Sequence, residues 1–524
     1  MAPSSEGTLS ANRLQVMTEA SSAETLRSRS PKPSVAHDVP AGLVVFLVAL
    51  PLCLGIALAS GAPLLSGLIA GVVGGLVIPL VSRAQLSVSG PAAGLAAIVL
   101  AGINHFGFPA VCAATILAGV LQIALGQLRA GFIVSFVQAS VIRGMLAAIG
   151  ILLIIKQIPN AFGYVAPEGG FSFGQLGSSI QPGAVVISVT ALTIMWAFEH
   201  FNLKKKLPYL PAALVVVVAG VALTFAYAVA APQLALLPRF LVSVPEGGFA
   251  AITANAGAMD LTALLRPEVL VFGVTLAIVA SLESLLSLDA IDKLDPYKRR
   301  SDSNRELVAQ GLGNMVSGFL GGLPVTSVIV RSSANVDSGG RTRLAAISHG
   351  ALLLIATLFL ASLINRIPLS ALAGILLWTG FKLARPALFQ QMWKRGLDQF
   401  VPFLLTILAI VFTDLLRGVV IGILIGQLFN IRSAMRNAFD VKDGDGVRTI
   451  RFAKDIFFFH KASLLAATET FPKGTQRVVV DLGAADFVEL DVRESLYENR
   501  ANVERGGARL EFLGIAPTDG APAH

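Results

Sequence analysis

The stretches Gln85–Gly94, QLSVSGPAAG, and Gly321–Arg331, GGLPVTSVIVR, decide how this chain is read, because each sets Gly and Pro in the middle of long apolar sequence. Lipid offers backbone N–H and C=O groups no hydrogen bonds. Irregular backbone at membrane depth therefore persists only inside protein or beside a water-filled cavity. Two such breaks in corresponding halves of a chain point to a binding site between them. Taken singly, either break also reads as an ordinary kink of a membrane helix.

Working outward, the 524 residues are 54% hydrophobic and only 14% charged, with a mean hydropathy of +0.74. A soluble domain carries roughly a quarter charged residues, so the chain is a polytopic membrane protein whose first partner is the lipid bilayer. The first apolar run begins at Val39 behind a stretch rich in Ser, Ala and Arg, so residues 1–37 read as a disordered cytoplasmic tail, not a cleaved signal.

The net charge of +8 does not indicate nucleic acid. Counted from a cytoplasmic N-terminus, Arg83, Arg129, Lys204-Lys205-Lys206, Lys298 to Arg300, Arg341 with Arg343, Lys394 with Arg395, and Arg432 with Arg436 all follow even-numbered spans. Basic residues mark the cytoplasmic side, which puts both termini there and suits a bacterial inner membrane. Cys53 and Cys112, each inside an apolar span, form neither a disulfide framework nor a metal motif. No Walker loop or catalytic triad supports an enzyme.

The segments fall at about 42–60, 63–82, 89–102, 109–127, 132–157, 182–200 and 210–230, then 267–288, 305–320, 325–337, 343–364, 369–384, 399–415 and 417–435. The third and tenth are shorter than the roughly 20 residues of a full span and read as half-helices. Seven plus seven, with the short segment third in each set, is the pattern of an inverted repeat, since an odd number of spans reverses topology. Residues 38–440 thus form a transmembrane domain of 14 segments, 441–516 a small cytoplasmic α/β domain around TIRFAKDIFFF, RVVVDLG and ARLEFLGI, and 517–524 a second disordered tail.

Three stretches resemble the SulP anion permeases, solute carrier family 26 in animals: DVPAGLVVFLVALPLCLGIALASGAP, QLSVSGPAAG, and the long block NRELVAQGLGNMVSGFLGGLPVTSVIVRSSANVDSGGRTRL. The resemblance runs from about Asp38 to Gly514, with VVVDLGAADFVELDVRESL similar to the STAS domain that closes most family members. The domain looks short, and where STAS regulators carry a phosphorylatable hydroxyl, Asp491 is followed here by Val492 and Arg493. That departure counts against a membrane-anchored STAS signalling protein, which stays as an alternative from another class.

The resemblance implies two inverted seven-segment repeats forming gate and core, with an anion between the facing N-termini of segments three and ten, and commonly a homodimer. A helix N-terminus offers unpaired N–H groups and about half a positive charge. The expected substrate-binding residues are Ser89, Gly90, Ala92 and Ala93 on one side and Thr326, Ser327, Val328 and Arg331 on the other, with Leu52 and Ile56 of the first span as an apolar wall. Many family members place Gln or Glu where Leu52 stands, so a proton-carrying acid is missing there.

Glu283 is the only acid between Glu268 and Asp289, and Ser287 lies one helical turn on. In family members that use sodium, a carboxylate and a hydroxyl occupy this spacing. The expected cation site is therefore Glu283 and Ser287 with Ser327, holding Na⁺ as a co-transported ion, with no resident cofactor. Alternatively, Glu283 simply pairs with Arg331 or binds nearby helix ends, neutralising charge without moving an ion. The span pattern is similar to a bacterial branch associated with carbonic anhydrase, which favours bicarbonate over sulfate as the small inorganic anion. Sodium-coupled uptake is the first expectation, with proton coupling, anion exchange and a nucleobase carrier as rivals. Arg143 and Lys156 read as interfacial, snorkelling residues.

Overall fold

The computed structural model describes residues 33–132, 137–164, 180–203, 210–256, 259–413, 415–435, 439–452, 455–483, 485 and 487–513. The Lys204 to Lys206 run and most of both expected tails lie outside them. Two compact units divide the chain, residues 1–423 and 424–524. The division falls at Leu424, inside the helix Leu415–Met435, and the sheet of the second unit begins at Phe439.

The first unit is an α-helical bundle. Its first half comprises α1 (Val35–Ala59), α2 (Leu64–Leu76) with its short continuation α3 (Ile78–Val81), strand β1 (Ser89–Pro91) leading into α4 (Ala93–Phe106), α5 (Phe108–Gln127), α6 (Ala139–Phe162), α7 (Pro182–His200) and α8 (Ala212–Ala230). A connection carrying α9 (Phe249–Ala256) leads to the second half. That half holds α10 (Pro267–Leu294), α11 (Ser303–Phe319), strand β2 (Val325–Ser327) leading into α12 (Ile329–Asp337), α13 (Leu344–Phe359), α14 (Ala361–Ile364), α15 (Leu369–Leu383), the amphipathic α16 (Pro386–Lys394), α17 (Leu397–Phe412) and α18 (Leu415–Met435).

Among the described residues, eight helices are long and apolar enough to cross a membrane, α2 with α3 and α15 with α16 each counting as one, and four more helical stretches are shorter and apolar. Large side chains such as Val229, Phe412 and Val218 stay exposed, which suits a lipid-facing surface. The expected eleventh segment is interrupted at Leu360, between α13 and α14.

Small residues bring the helices together where lipid supplies no hydrophobic drive. A Cβ on Gly119 of α5 would lie 2.5 Å from the Gly311 carbonyl of α11, and one on Gly311 would lie 2.5 Å from the Gly119 carbonyl. The same reciprocal approach joins Gly150 of α6 to Gly380 of α15.

The second unit contains the four-stranded sheet β3 (Phe439–Gly444), β4 (Val447–Phe452), β5 (Arg477–Asp481) and β6 (Arg509–Leu513), in that spatial order. β3 and β4 form an antiparallel hairpin through Asp445 and Gly446, both at positive φ, as a tight primed turn requires. β5 and β6 add in parallel through crossovers containing α19 (Lys461–Glu469), then α20 (Leu490–Glu498) and α21 (Arg500–Arg505). Ile450, Val478, Val480, Leu496 and Leu510 form its core.

Candidate anion site

Each break is a short strand followed by a helix. The half-helices were expected from Ser89 and Val325, but the helices begin at Ala93 and Ile329, and residues 89–91 and 325–327 pair antiparallel instead. The register sets Ser89 against Ser327, Gly90 against Thr326 and Pro91 against Val325. This pairing gives backbone that helices have released a partner at membrane depth. It also sends α4 and α12 away in opposite directions, so their N-termini flank the sheet. Neither N-cap residue, Ala92 or Val328, supplies a capping side chain; in α4 the Gly94 N–H is taken by the Glu283 carboxylate and the Leu95 N–H by the Ala92 carbonyl at 3.2 Å, which leaves the Ala93 N–H there and the first turn of α12 for an anion.

Strand side chains alternate between faces. One face of the small sheet looks to α11, where Glu306, Gln310 and Asn314 recur every four residues and share one stripe. Asn314 clamps Val325 at both backbone atoms, accepting from its N–H at 2.6 Å and donating to its C=O at 3.0 Å. The same Nδ2 donates to Gln122 Oε1 at 2.7 Å, and Gln122 donates on to Ser281 Oγ. Gln310 Nε2 donates to Ser89 Oγ at 2.7 Å and to Glu306 Oε1 at 2.8 Å, and Ser82 Oγ donates to the other Glu306 oxygen. The Ser89 hydroxyl is therefore engaged behind the sheet and does not face an anion, a correction that follows from the alternation.

The opposite face carries Gly90 and Thr326. A Cβ on Gly90 would collide with Arg331 Nη1, so the guanidinium lies directly on the glycine. Arg331 is fully buried and donates from Nη2 to the Pro91 carbonyl at 3.2 Å, while Nε and Nη1 have no hydrogen-bond partner. A buried cation with two unspent donors is costly unless an anion or water meets it.

Glu283 of α10 reaches the first turn of α4, where a Cβ on Gly94 would stand 2.7 Å from Oε1 and 2.8 Å from Oε2. Its Oε2 is buried without a hydrogen-bond partner. No ion pair joins Glu283 to Arg331 among the described residues; the carboxylate accepts instead from the Gly94 N–H, at a helix end, the other arrangement that the alternative named. The hydroxyl brought to β2 is that of Ser284, which accepts from the Ser327 N–H at 3.3 Å. Ser287, expected there, is buried but bonds neither to Ser327 nor to Glu283. The one-turn spacing from Glu283 fixes a shared helix side, and β2 crosses α10 closer to position 284.

Two further expectations shift. The Val328 N–H is spent on the Val88 carbonyl at 3.0 Å, so any free donors of α12 belong to the turn beginning at Ile329. The Ser327 hydroxyl pairs with Ser87 Oγ at 2.6 Å. Ile56 packs in the same apolar cluster as Ala92, Leu95 and Val325, whereas Leu52 packs in another, with Leu65, Leu68 and Leu372. Gly90, Ala92, Ala93, Thr326, Arg331 and Ile56 thus gather at the breaks, with Glu283 beside them. Glu306, Gln310, Asn314, Ser284 and Ser332, whose hydroxyl accepts from the Val88 N–H at 2.9 Å, were not singled out from sequence. The four-residue spacing in NRELVAQGLGN was the available signal.

An inverted pair of broken segments, uncapped helix N-termini and a buried arginine without a counter-ion define a membrane transporter for anions. The chain belongs to the sulfate permease family, whose sequence profile matches residues 35–406. It is 30% identical over 409 residues to the putative sulfate transporter YvdB of Bacillus subtilis, covering 75% of this chain and 73% of that protein. It is 28% identical over 416 residues to the bicarbonate transporter BicA of a Picosynechococcus species, covering 76% and 70%. Among solved structures it is similar to the transmembrane domain of a cyanobacterial BicA, with TM-score 0.60, 25% identity and coverage of 73% of this chain and 97% of that one. SLC26A9 shares the fold over 94% of this chain and 86% of its own, with TM-score 0.75 and 16% identity.

Proposed function

We propose that the protein takes up bicarbonate together with Na⁺ by alternating access, the core carrying the anion past the gate. The observation that carries this reading is Arg331, whose Nε and Nη1 are unpartnered over Gly90 between the two helix N-termini. The anion is held by first-turn N–H groups of α4 and α12 and by the guanidinium, and the apolar Ile56 wall admits only a small ion. Na⁺ binds as cargo near Glu283, with Ser284 replacing Ser287 as the nearby hydroxyl on α10. Its charge offsets that of the buried carboxylate at the α4 terminus.

Sulfate is the second reading, favoured by the similarity to YvdB, and it uses the same donors. We further propose that the chain works as a homodimer in a bacterial inner membrane with both termini cytoplasmic, and that a carbonic anhydrase consumes or supplies its substrate. Uptake of radiolabelled bicarbonate and of sulfate into proteoliposomes, each competed by the other, tests the choice. Bicarbonate uptake resisting excess sulfate supports the first reading, and sulfate uptake resisting bicarbonate replaces it.

A further inference from the structure

Packing sorts the helices of the first unit into two groups. α5 lies against α10 and α11, and α13 against α1 and α2, whereas α6 packs on α15 and α17, and α7 on α8 and α15. The first group carries both breaks. On the outer side of the topology proposed above, the chain crosses between the groups in the long connection from α8 to α10 and in the short turn from α14 to α15.

These two crossings are joined to each other. Leu241 and Pro368 form an antiparallel bridge, and the Val242 N–H donates to the Ile367 carbonyl at 2.9 Å. Asn365 then clamps Val244 at both backbone atoms, accepting from its N–H at 2.7 Å and donating to its C=O at 2.9 Å. Val242, Val244 and Ile367 are buried, so this end of the long connection is held in place.

The other end is held at the root of β2. Asn255 of α9 donates from Nδ2 to the Leu320 carbonyl at 3.3 Å and to the Gly321 carbonyl at 2.8 Å, acceptors that the end of α11 leaves open. Gly321 has φ +71°, and a Cβ on it would lie 2.5 Å from Asn255 Nδ2, so the amide is seated on the glycine. Gly321 stands shortly before Val325, the first residue of β2.

Between the clamps, Gly247 and Gly248 have φ +151° and +56°, conformations that residues with a Cβ disfavour. α9, which follows them, buries none of its residues. An apolar space of about 300 Å³, lined by Ile69, Val72, Phe319 and Leu354, lies against it. A segment with both ends clamped, two adjacent glycines and room beside its helix can change angle while each clamp stays closed, because a few residues suffice to absorb the rotation of a hinge.

We propose that residues 244–255 form a hinged strap between the two helix groups, bending at Gly247 and Gly248 as the groups alternate, and that Asn255 is the positioning residue that holds its far end to the segment entering β2. The inference rests on the alternating-access reading, and its test has one arm that needs no transport.

In that arm, spin labels on cysteines at Ser243 and Ala254, both exposed, report the strap in the full protein in proteoliposomes; the native Cys53 and Cys112 are buried. Two distance populations are expected. Gly247→Ala combined with Gly248→Ala should change their ratio about threefold or more, by disfavouring the conformation described above. A single population, or a ratio that the alanine pair leaves unmoved, overturns the proposal.

In the transport arm, initial bicarbonate and sulfate uptake is measured per folded protein. The alanine pair should lower Vmax roughly 3- to 10-fold with a smaller change in KM, as expected when a conformational step limits turnover. Asn255→Asp keeps the shape of the side chain but loses the donor, and it should lower Vmax in the same way. A merely structural role would reduce the amount of folded protein and leave its Vmax alone. Wild-type Vmax in the alanine pair contradicts the hinge, and wild-type Vmax in Asn255→Asp contradicts the role of the amide. Absence of uptake in wild type, with two label distances that the alanine pair shifts, counts against the transport reading alone.

Discussion

Arg331 and Gly90 occupy one another's space: the guanidinium lies where a side chain on Gly90 would begin. The glycine is therefore demanded by close approach, and the site is built by withholding a Cβ. Gly90→Ala is expected to displace Arg331 and raise the apparent KM for the anion, with the protein still inserted and folded. Uptake kinetics beside a thermal melt check this, and an unchanged KM would show that Arg331 does not need that position.

Arg331→Ala should remove a charge-assisted contact worth roughly 1.5–3 kcal/mol, about 10- to 150-fold in apparent affinity. Lysine should restore only part of it, because a point charge does not reproduce the planar fork that reaches both Pro91 and an anion. Equal KM values for Lys and Arg would mean that only the charge matters.

Asn314→Ala takes away both bonds to Val325 and leaves the Gln122 amide oxygen without its donor. An unsatisfied buried polar group costs about 1–3 kcal/mol, so the apparent melting temperature in detergent should fall clearly. Gln310→Leu should act in the same direction through Ser89. A melt identical to wild type in both variants would show that the α11 stripe does not hold the strands.

In the second unit, Asp443 and Arg448 close the β3–β4 hairpin with a 2.7 Å ion pair. The hydrogen bond from Arg448 holds the Asp443 carboxyl below its ordinary value of 3.8. A depressed carboxyl contributes stability that is present above the unfolded value and lost as pH falls through the folded one. The difference between wild type and Asp443→Asn should therefore persist at neutral pH, begin to shrink only below about pH 3.8 and vanish below the still lower folded value. The effect is small for an exposed pair, and circular dichroism melts of the full protein at pH 7 and pH 3 measure it.

The breaks were legible because Gly-Pro and Pro-Val-Thr stand out against apolar sequence, and their symmetry fixed which segments face each other. Arg331 and Glu283 were legible as lone charges in spans. The β pairing was not, since three-residue strands leave no periodicity, and with it the orientation of Ser89 and the use of the Val328 N–H were hidden. The choice of Ser284 over Ser287 depends on how β2 crosses α10, which helical spacing does not encode. The α11 stripe was visible as a spacing, but its partners are backbone atoms, which carry no sequence signal.

The most direct measurement is radiolabelled bicarbonate uptake into proteoliposomes with and without an inward Na⁺ gradient, for wild type and Glu283→Gln. Sodium-stimulated uptake in wild type and loss of the stimulation in the variant are expected. Uptake that ignores sodium, and is the same in both proteins, would contradict the coupling role of the carboxylate at Gly94.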